Sequence, residues 1–494
     1  MTRIDFSQPM RQSAKGLFLI FIQEGKKVIK TFWPVIVPVL LKKDSHNKLL
    51  IIGVILLAGL LLTLIHAILY FRSYRFHTEE QQFILKKGYL NRKILTIPFH
   101  RIQNVKTSQS VLQQFLDVMS LEIDTAGTTS KELKIHALSK TVAVQLAREL
   151  SSQLEIGKTT EGITEEDSIS REVQILRLSN RDLLKIGISQ NHFRTIIILF
   201  VLGLQFFNKL EEYFEERAKE YSHEILQFLS ESSWMFFGLL VLVFLLIAFL
   251  YSMIRTLVLF YDLKFLKMNQ TYRIVSGLLN RRNLLVPFHK IQQMDWETGP
   301  LKKLFGIYRV NIRQATSDLT PTAQLIEIPG CLSKHIELMK SDLFGIDELK
   351  DQAVIHSSKV YFKRNWLFLG WLPAGLISAA IFFDWAYIIP AFFWIILSGF
   401  YCQLIQRKSH FQINNHQIRV SSGAISHKFK QMELHKVQHL QFRQSIFHKK
   451  RGVASLKIGN ASGFIRLPYI DENTAKSLYD YLLYYAETSN KSWM

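Results

Sequence analysis

A nine-residue phrase occurs three times in this chain of 494 residues and constrains its architecture more than any other feature. The phrase reads IPFHRIQNV at 97–105, VPFHKIQQM at 286–294 and MELHKVQHL at 432–440. With Gly88, Gly277 and Gly423 as anchors, the three stretches align without a gap for 36 residues. Such a repeat indicates one structural unit used several times. The chain is therefore predicted to contain three copies of one domain.

Each copy is predicted to fold mainly as β-structure. The segment 81–100 alternates apolar and polar residues on both sides of Gly88, which is typical of a hairpin. Later in each copy, MSLEIDT, YRVNIRQA and ASLKIGNA have the period of two expected for half-buried strands. Helical segments follow from about residues 138, 332 and 471. The pattern predicts a small antiparallel sheet closed by a C-terminal helix.

Four kinds of residue keep a fixed place in the repeat. The anchor glycines are predicted to form turns with positive φ. The histidines have no carboxylate at a constant offset, so we expect a structural role for them, with ring packing and one hydrogen bond. The basic residue and the glutamine would share one face of a strand, where they could contact a ligand or simply an adjacent loop. These residues are His100, His289 and His435; Arg101, Lys290 and Lys436; and Gln103, Gln292 and Gln438.

Apolar runs alternate with these copies. A transmembrane helix needs about 20 mostly apolar residues, and the runs at 49–71, 234–254 and 385–405 meet that length. A weaker apolar run precedes each of them, so three transmembrane hairpins are predicted. The weaker runs lie at 31–41, 195–207 and 366–383. The first is short and contains two prolines, so an interfacial or re-entrant segment is the alternative to a true span.

Charge predicts the orientation of the chain in the membrane. The net charge is +21, and the connector 209–233 has seven Glu against three Lys or Arg. Positive charge concentrates in the segments on the cytoplasmic side. We therefore expect a multi-pass protein of the bacterial cytoplasmic membrane with all three repeated domains in the cytoplasm. The loop 42–48, with three Lys and one Asp, does not follow this rule.

These patterns divide the chain into alternating membrane and soluble segments. The N-terminal cytoplasmic segment, the three hairpins, the three domains and two linkers have predicted boundaries. They are 1–30 (N-terminal segment), 31–71 (hairpin 1), 72–153 (domain 1), 154–187 (acidic linker and amphipathic segment), 188–254 (hairpin 2 with the acidic connector), 255–347 (domain 2), 348–364 (linker), 365–406 (hairpin 3) and 407–488 (domain 3).

The repeat resembles the bacterial pleckstrin-homology-like (PH-like, bPH2-type) membrane proteins of the YdbS/YdbT family. The resemblance rests on a glycine hairpin, the motif P-[FY]-x-[RK]-I-Q, a short segment and a strand, all after a transmembrane hairpin. It implies a PH-like bent sheet or barrel capped by a helix. It also implies a role in resistance to membrane-active antimicrobial peptides and a small single-domain YdbS-like companion. Copy three departs from the motif, with Glu433 in place of the proline.

The basic residues are the most informative candidates for binding. Eleven Lys or Arg lie between 407 and 457, against one acidic residue. Next to a bilayer this density attracts anionic lipid, although it is also what a solvated cytoplasmic face looks like. The candidate contacts to lipid or to a partner are Lys449, Lys450, Arg451, Lys428 and Lys430. No helix or aromatic platform for nucleic acid accompanies the charge.

Catalytic and cofactor motifs are missing from the sequence. There is no P-loop, G-x-S-x-G, Rossmann fingerprint or metal-binding signature, and the two cysteines cannot form a metal site alone. No catalytic residue, metal or cofactor is predicted. We expect a non-enzymatic assembly platform whose partners are lipids, the companion or another copy of the chain. The alternatives are a transporter or exporter subunit with regulatory PH-like domains, and a module that senses anionic lipid.

Overall fold

The computed structural model describes residues 4–22, 24–27, 30, 48–125, 133–156, 172–213, 234–315, 325–345, 348–379 and 388–489. Within them the three copies form three similar units, which confirms the predicted fold class. Unit 1 comprises β1 (Met10–Arg11), α1 (Lys48–Ser73), β2 (Arg75–Glu79), β3 (Gln82–Lys87), β4 (Lys93–Pro98), β5 (Ile102–Gln109), α2 (Val111–Phe115), β6 (Val118–Thr125), β7 (Leu133–Ser139) and α3 (Lys140–Ile156).

Units 2 and 3 repeat this order with additional helices. Unit 2 comprises β8 (Val173–Arg177), α4 (Asn180–Ile188), α5 (Phe193–Tyr213), α6 (Trp234–Phe260), β9 (Lys264–Met268), β10 (Thr271–Ser276), β11 (Arg281–Pro287), β12 (Ile291–Thr298), α7 (Pro300–Leu304), β13 (Tyr308–Gln314), β14 (Leu325–Cys331) and α8 (Ser333–Phe344). Unit 3 comprises β15 (Ile355–His356), α9 (Lys359–Trp366), α10 (Leu372–Ala379), α11 (Ile388–Lys408), β16 (His410–Ile413), β17 (Gln417–Ser422), β18 (His427–Glu433), β19 (His439–Arg443), α12 (Ile446–Lys449), β20 (Val453–Asn460), β21 (Gly463–Asp471) and α13 (Glu472–Thr488).

Each unit packs two antiparallel sheets around a core of its own. In unit 1, β2, β3 and β4 form one meander and β5, β6 and β7 form the other. Alternate residues of β3, Phe83 and Leu85, are fully buried in the core between them. Helix α3 closes this core with Ala143, Leu146 and Leu150, whose spacing of three and four residues places them on one face.

The anchor glycines occupy the tight turns that join the second and third strands of each meander. Gly88, Gly277 and Gly423 have φ of +93°, +105° and +114°, which confirms the predicted positive φ. A Cβ atom at any of the three would lie 2.1 Å from the carbonyl oxygen three residues later. We call residues 88–91, 277–280 and 423–426 the Gly turns.

A short strand before the apolar helices belongs to each unit, and no pattern in the sequence predicts it. β1 pairs with β2, β8 pairs with β9, and β15 pairs with β16. β8 falls within the segment 154–187 and β15 within the segment 348–364, both described above as linkers. The chain therefore leaves each sheet, runs through its apolar helices and returns to the same sheet.

The three long apolar runs are helical wherever the structure describes them, as predicted. Helices α6 and α11 contain stretches long and apolar enough to cross a membrane, Val241–Phe260 with mean hydropathy 2.4 and Ile388–Lys408 with 1.9. Leu57–Ser73 of α1 and Thr195–Gln205 of α5 are shorter apolar helices. The predicted weak run 31–41 lies outside the described residues, as does most of the connector 209–233.

Two of the sheets extend across the boundaries between units. One seven-stranded sheet has the order β7-β6-β5-β11-β10-β9-β8 and joins unit 1 to unit 2. The other has the order β14-β13-β12-β18-β17-β16-β15 and joins unit 2 to unit 3. We call the antiparallel contact β5–β11 joint 1 and the contact β12–β18 joint 2.

Candidate functional site

The repeated phrase forms a turn that takes the chain from one sheet of a unit to the other. Its central residues adopt a single 3-10 turn, at Phe99–Arg101, Phe288–Lys290 and Leu434–Lys436. The predicted strand alternation through these residues is therefore wrong. The physical reason is that the flanking strands belong to different sheets, so the backbone must change direction between them.

The aligned histidines lie on these turns with different degrees of exposure. His100 is exposed, and His289 and His435 are half-buried. His435 Nε2 lies 3.8 Å from a carboxylate oxygen of Glu433, the residue that replaces the proline in copy three. The structure thus places the histidines at the sheet-to-sheet turn, and their structural role stays a prediction.

The aligned basic residues reach across the joints. Lys290 Nζ of unit 2 donates a hydrogen bond to the carbonyl oxygen of Ile102 in unit 1 at 2.8 Å. Lys436 Nζ of unit 3 donates in the same way to the carbonyl oxygen of Ile291 in unit 2 at 2.7 Å. Arg101, the equivalent residue of unit 1, is exposed. Lys290 and Lys436 thus each contact the neighbouring unit, and a ligand contact of the aligned basic residues stays a prediction.

The aligned glutamines that the structure describes differ in exposure. Gln292 is buried, with 1% of its surface exposed, whereas Gln438 is exposed. The side chain of Gln103 lies outside the part of the chain that the structure describes.

Both joints use the same register. In joint 1, Leu284 lies opposite Lys106, and in joint 2, Lys430 lies opposite Asp295. Leu284 and Lys430 each follow their Gly anchor by seven residues, and Lys106 and Asp295 follow theirs by eighteen. The second joint is therefore a geometric repeat of the first.

Joint 2 has an aromatic centre. The rings of Trp296 and Phe429 lie opposite each other, stacked with centroids 5.2 Å apart and an interplanar angle of 13°. Trp296 is 5% exposed, and Lys340 Nζ of α8 lies 4.5 Å from its ring centroid. This stack contributes about 0.5–1.5 kcal/mol beyond the area that it buries.

A carboxylate surrounded by cations lies beside this stack. Glu297 is within 3.5 Å of the side-chain nitrogens of Lys302 (3.4 Å), Arg309 (3.5 Å) and Lys428 (3.5 Å). Burial alone would raise the pKa of Glu297, but the three cations together lower it below its usual range. Since Lys428 belongs to unit 3, this charge cluster holds two units together.

The five predicted lipid or partner residues separate into two groups. Lys428 and Lys430 lie in joint 2, opposite Glu297 and Asp295. The other three are exposed at the end of α12 and just after it, next to the exposed side chains of Ile446 and Phe447. That second group consists of Lys449, Lys450 and Arg451.

The Gly turns of units 2 and 3 lie against the C-terminal ends of the long apolar helices α6 and α11. The backbone N–H of Leu278 donates to the carbonyl of Val258, near the end of α6, at 3.0 Å. Lys408 Nζ, at the end of α11, donates to the carbonyl of Ile425 at 3.2 Å. The turns are therefore level with the last turns of helices that have the length of membrane spans.

An apolar side chain projects from each Gly turn, two residues after the anchor. Leu90, Leu279 and Ile425 are 86%, 48% and 63% exposed. In joint 1, Gln114 Nε2 of α2 donates to the carbonyls of Leu278 and Leu279 at 3.1 and 2.9 Å, so α2 lies at the same level. We call the Gly turns and the short helices α2, α7 and α12 the rim. Exposed apolar and basic side chains at this level are typical of contact with a membrane surface.

Sequence reasoning missed the joints altogether. Their residues come from strands predicted correctly, but a strand pattern says which face is buried and nothing about which strand lies beside the edge. A weak signal existed in Lys290 and Lys436, whose fixed place in the repeat suggested a common contact. Among the described residues, no group of three or more His, Cys, Asp or Glu is placed to hold a metal ion.

Comparison with known proteins matches this architecture. The bacterial PH domain family matches the chain three times, at residues 32–154, 218–337 and 367–486. The chain is also similar to the UPF0699 transmembrane protein YdbT of Bacillus subtilis (strain 168), with 23% identity over 465 residues. That alignment covers 90% of this chain and 91% of the relative.

Proposed function

Because this transmembrane chain belongs to the bacterial PH domain family, we propose that it is a non-enzymatic assembly platform of the cytoplasmic membrane. The observation that supports this proposal is the pair of seven-stranded sheets that cross the unit boundaries. Two joints with one register fix the spacing of three domains, as a platform requires. Three domains that bound ligands independently would not need this connection.

We extend the proposal to the process and the partner. The platform contributes to resistance against membrane-active antimicrobial peptides such as bacteriocins, and it acts together with a small single-domain YdbS-like companion. The support for this step is the family resemblance. In this mechanism the joined domains hold the companion at a fixed place beneath the bilayer.

The test is a peptide-sensitivity assay in a strain that lacks the protein. Wild-type protein should restore the inhibitory concentration of the peptide, and the joint variant Lys436→Ala should restore it only partly. The control Lys334→Ala, at an exposed residue of α8, should restore it fully. Full restoration by an equally abundant Lys436→Ala variant would contradict the platform mechanism. An unchanged inhibitory concentration in the deletion strain would contradict the role in resistance.

Reconstitution separates the platform from a transporter. The purified chain in vesicles should give no peptide or ion flux above that of empty vesicles. Flux that is lost when a charge is placed in α6, for example by Leu246→Lys, would favour the exporter instead. Leu246 is 54% exposed within the candidate span, so this change adds a charge to the lipid-facing surface.

The rim favours a second candidate function, recognition of anionic lipid. Ile446 and Phe447, 75% and 74% exposed, provide apolar contacts beside the three cations Lys449, Lys450 and Arg451. Basic residues near an anionic surface contribute roughly 1 kcal/mol each. The proposed lipid site is therefore the end of α12 and the turn after it.

Nanodiscs with and without phosphatidylglycerol test this candidate. Anionic lipid should raise the melting temperature of the protein, and the triple variant Lys449→Gln/Lys450→Gln/Arg451→Gln should lose most of that increase. A matched triple variant, Lys140→Gln/Arg148→Gln/Lys334→Gln, removes three exposed charges from the closing helices α3 and α8. Equal behaviour of the two triple variants would show that net charge, and not this site, determines the response.

A further inference from the structure

Units 1 and 3, at the two ends of the described series, each have an edge strand of the kind that forms joints 1 and 2. Among the described residues, no strand pairs with the outer edge of β4 in unit 1, and none pairs with the outer edge of β19 in unit 3. In the repeat, β4 is equivalent to β11 and β18 of the two joints, and β19 is equivalent to β5 and β12. We propose that β19 of one copy of this chain pairs with β4 of a second copy, so that a third joint links copies head to tail.

The register of the two known joints specifies the third. In joint 2, the residues six, seven and eight positions after Gly423 lie opposite the residues nineteen, eighteen and seventeen positions after Gly277. Joint 1 has the same register. Applied to β4 and β19, the same rule places Ile94 opposite Phe442 and Lys93 opposite Arg443.

Apolar side chains match at the centre of the third joint. In the repeat, Ile94 is equivalent to Phe429, and Phe442 is equivalent to Trp296. Phe429 and Trp296 are the residues whose rings stack in joint 2. Ile94 is 64% exposed on an edge strand, whereas Phe429 is half-buried. Pairing with Phe442 would bury Ile94 in the same way. An exposed apolar edge strand is otherwise a risk for aggregation.

The third joint also has a residue for the side-chain hydrogen bond that crosses joints 1 and 2. Arg101 of unit 1 is equivalent to Lys290 and Lys436, which donate to the carbonyls of Ile102 and Ile291. The residue of unit 3 at the place of Ile102 and Ile291 is Val437. In the third joint, Arg101 of one copy would donate to the Val437 carbonyl of the next.

One pair opposes the association. Lys93 would face Arg443, whereas joint 2 has Lys428 opposite Glu297 at this position. Like charges directly opposite are destabilising, so the third joint is weaker than joint 2 and readily reversible. Since each copy carries both halves, head-to-tail pairing closes a ring or extends as a row in the plane of the membrane.

Disulfide cross-linking between copies tests the proposal. Full-length Ile94→Cys and Phe442→Cys chains, co-expressed and oxidised in membranes, should form a disulfide-linked dimer that neither forms alone. The native Cys331 and Cys402 are buried, so they give little background. Trp296→Cys/Phe429→Cys in one chain is the positive control, because it links joint 2 within the monomer. Leu95→Cys with Phe442→Cys is the off-register control, since a slip of one residue turns the side chain to the opposite face.

Charge reversal distinguishes a second copy from another partner. Lys93→Glu would face Arg443 favourably and should raise the dimer yield about threefold, while Arg101→Ala should lower it. Lys334→Glu, exposed on α8, should leave it unchanged. Absence of the dimer while the positive control cross-links would overturn the proposal. A disulfide between Ile94→Cys and only a different protein, formed less when Lys93→Glu is added, would also overturn the proposal. The edge of β4 would then pair with an acidic strand of that protein.

Discussion

Glycine at the anchor positions is required by the backbone and by the space around it. Gly277 has φ of +105°, where a Cβ would lie 2.1 Å from the carbonyl oxygen of Asn280. Neither atom can move without opening the turn, since both belong to the backbone. The invariance of this position across the three copies therefore follows from geometry alone.

Gly277→Ala should lower the free energy of unfolding by about 2 kcal/mol, the scale of a residue held in strained backbone. Thermal unfolding of the purified protein in detergent is the measurement. The control is Gly299→Ala, at a glycine with φ of −116° and no atom within 4 Å of the added Cβ. An equal loss of stability in both variants would contradict this account of the Gly turn.

A histidine in joint 2 makes stability depend on pH. His427 is half-buried, and burial, followed by Lys408, His410 and Lys303, lowers its pKa to about 4. Its Nε2 lies 2.7 Å from the hydroxyl of Ser421. Because the folded pKa is below that of the unfolded chain, the unfolded state binds more protons between the two values. Stability from this residue is complete above the unfolded pKa, about 6.5, and is lost as pH falls through the folded pKa.

His427→Gln should therefore reduce the fall in melting temperature between pH 7.5 and pH 4.5. The glutamine keeps a polar group near Ser421 but cannot take up the proton. His100→Gln, at the exposed turn of unit 1, is the matched control and should leave the fall as in wild type. If both variants retain the full fall, His427 does not carry the effect.

At the scale of elements, joint 2 should behave as an interaction between two units. The double-mutant cycle Trp296→Leu and Phe429→Leu should give a coupling of about 0.5–1.5 kcal/mol in unfolding free energy. Trp296→Leu with Phe464→Leu, on a strand of unit 3 outside the joint, should be additive. Zero coupling in the first cycle would mean that β12 and β18 are not paired in solution.

The elements themselves were largely predictable, and the way they meet was not. The repeat indicated three domains, and apolar length indicated the helices α1, α6 and α11, because both signals are local. Joint 1 pairs Asn283 with Thr107 and Arg282 with Ser108, polar residues without any pattern that marks an interface. The turn Phe99–Arg101 has the apolar spacing of a strand, but its shape depends on the position of the second sheet.

At the scale of the whole molecule, strand pairing restricts the path of the chain through the membrane. β8 precedes α5 and α6 and pairs with β9 after them, and β15 and β16 enclose α10 and α11 in the same way. β1 and β2 likewise lie in one sheet on either side of α1. We therefore expect an even number of membrane crossings between the two members of each pair. Since the joints pair neighbouring units, we expect all three units to lie on one side of the bilayer.

The positive-inside rule predicts that this side is the cytoplasm. Cysteine substitution of the exposed rim residues Leu90, Leu279 and Ile425 tests the orientation and the common side together, without disturbing the glycines. The native cysteines are buried, so an impermeant maleimide should label all three variants only after the cells are permeabilised. Labelling of all three in intact cells would show that the units lie on the outer side of the membrane, and it would still agree with the two joints. Labelling of only one or two would require a unit on the opposite side, which the strand pairing of joints 1 and 2 forbids.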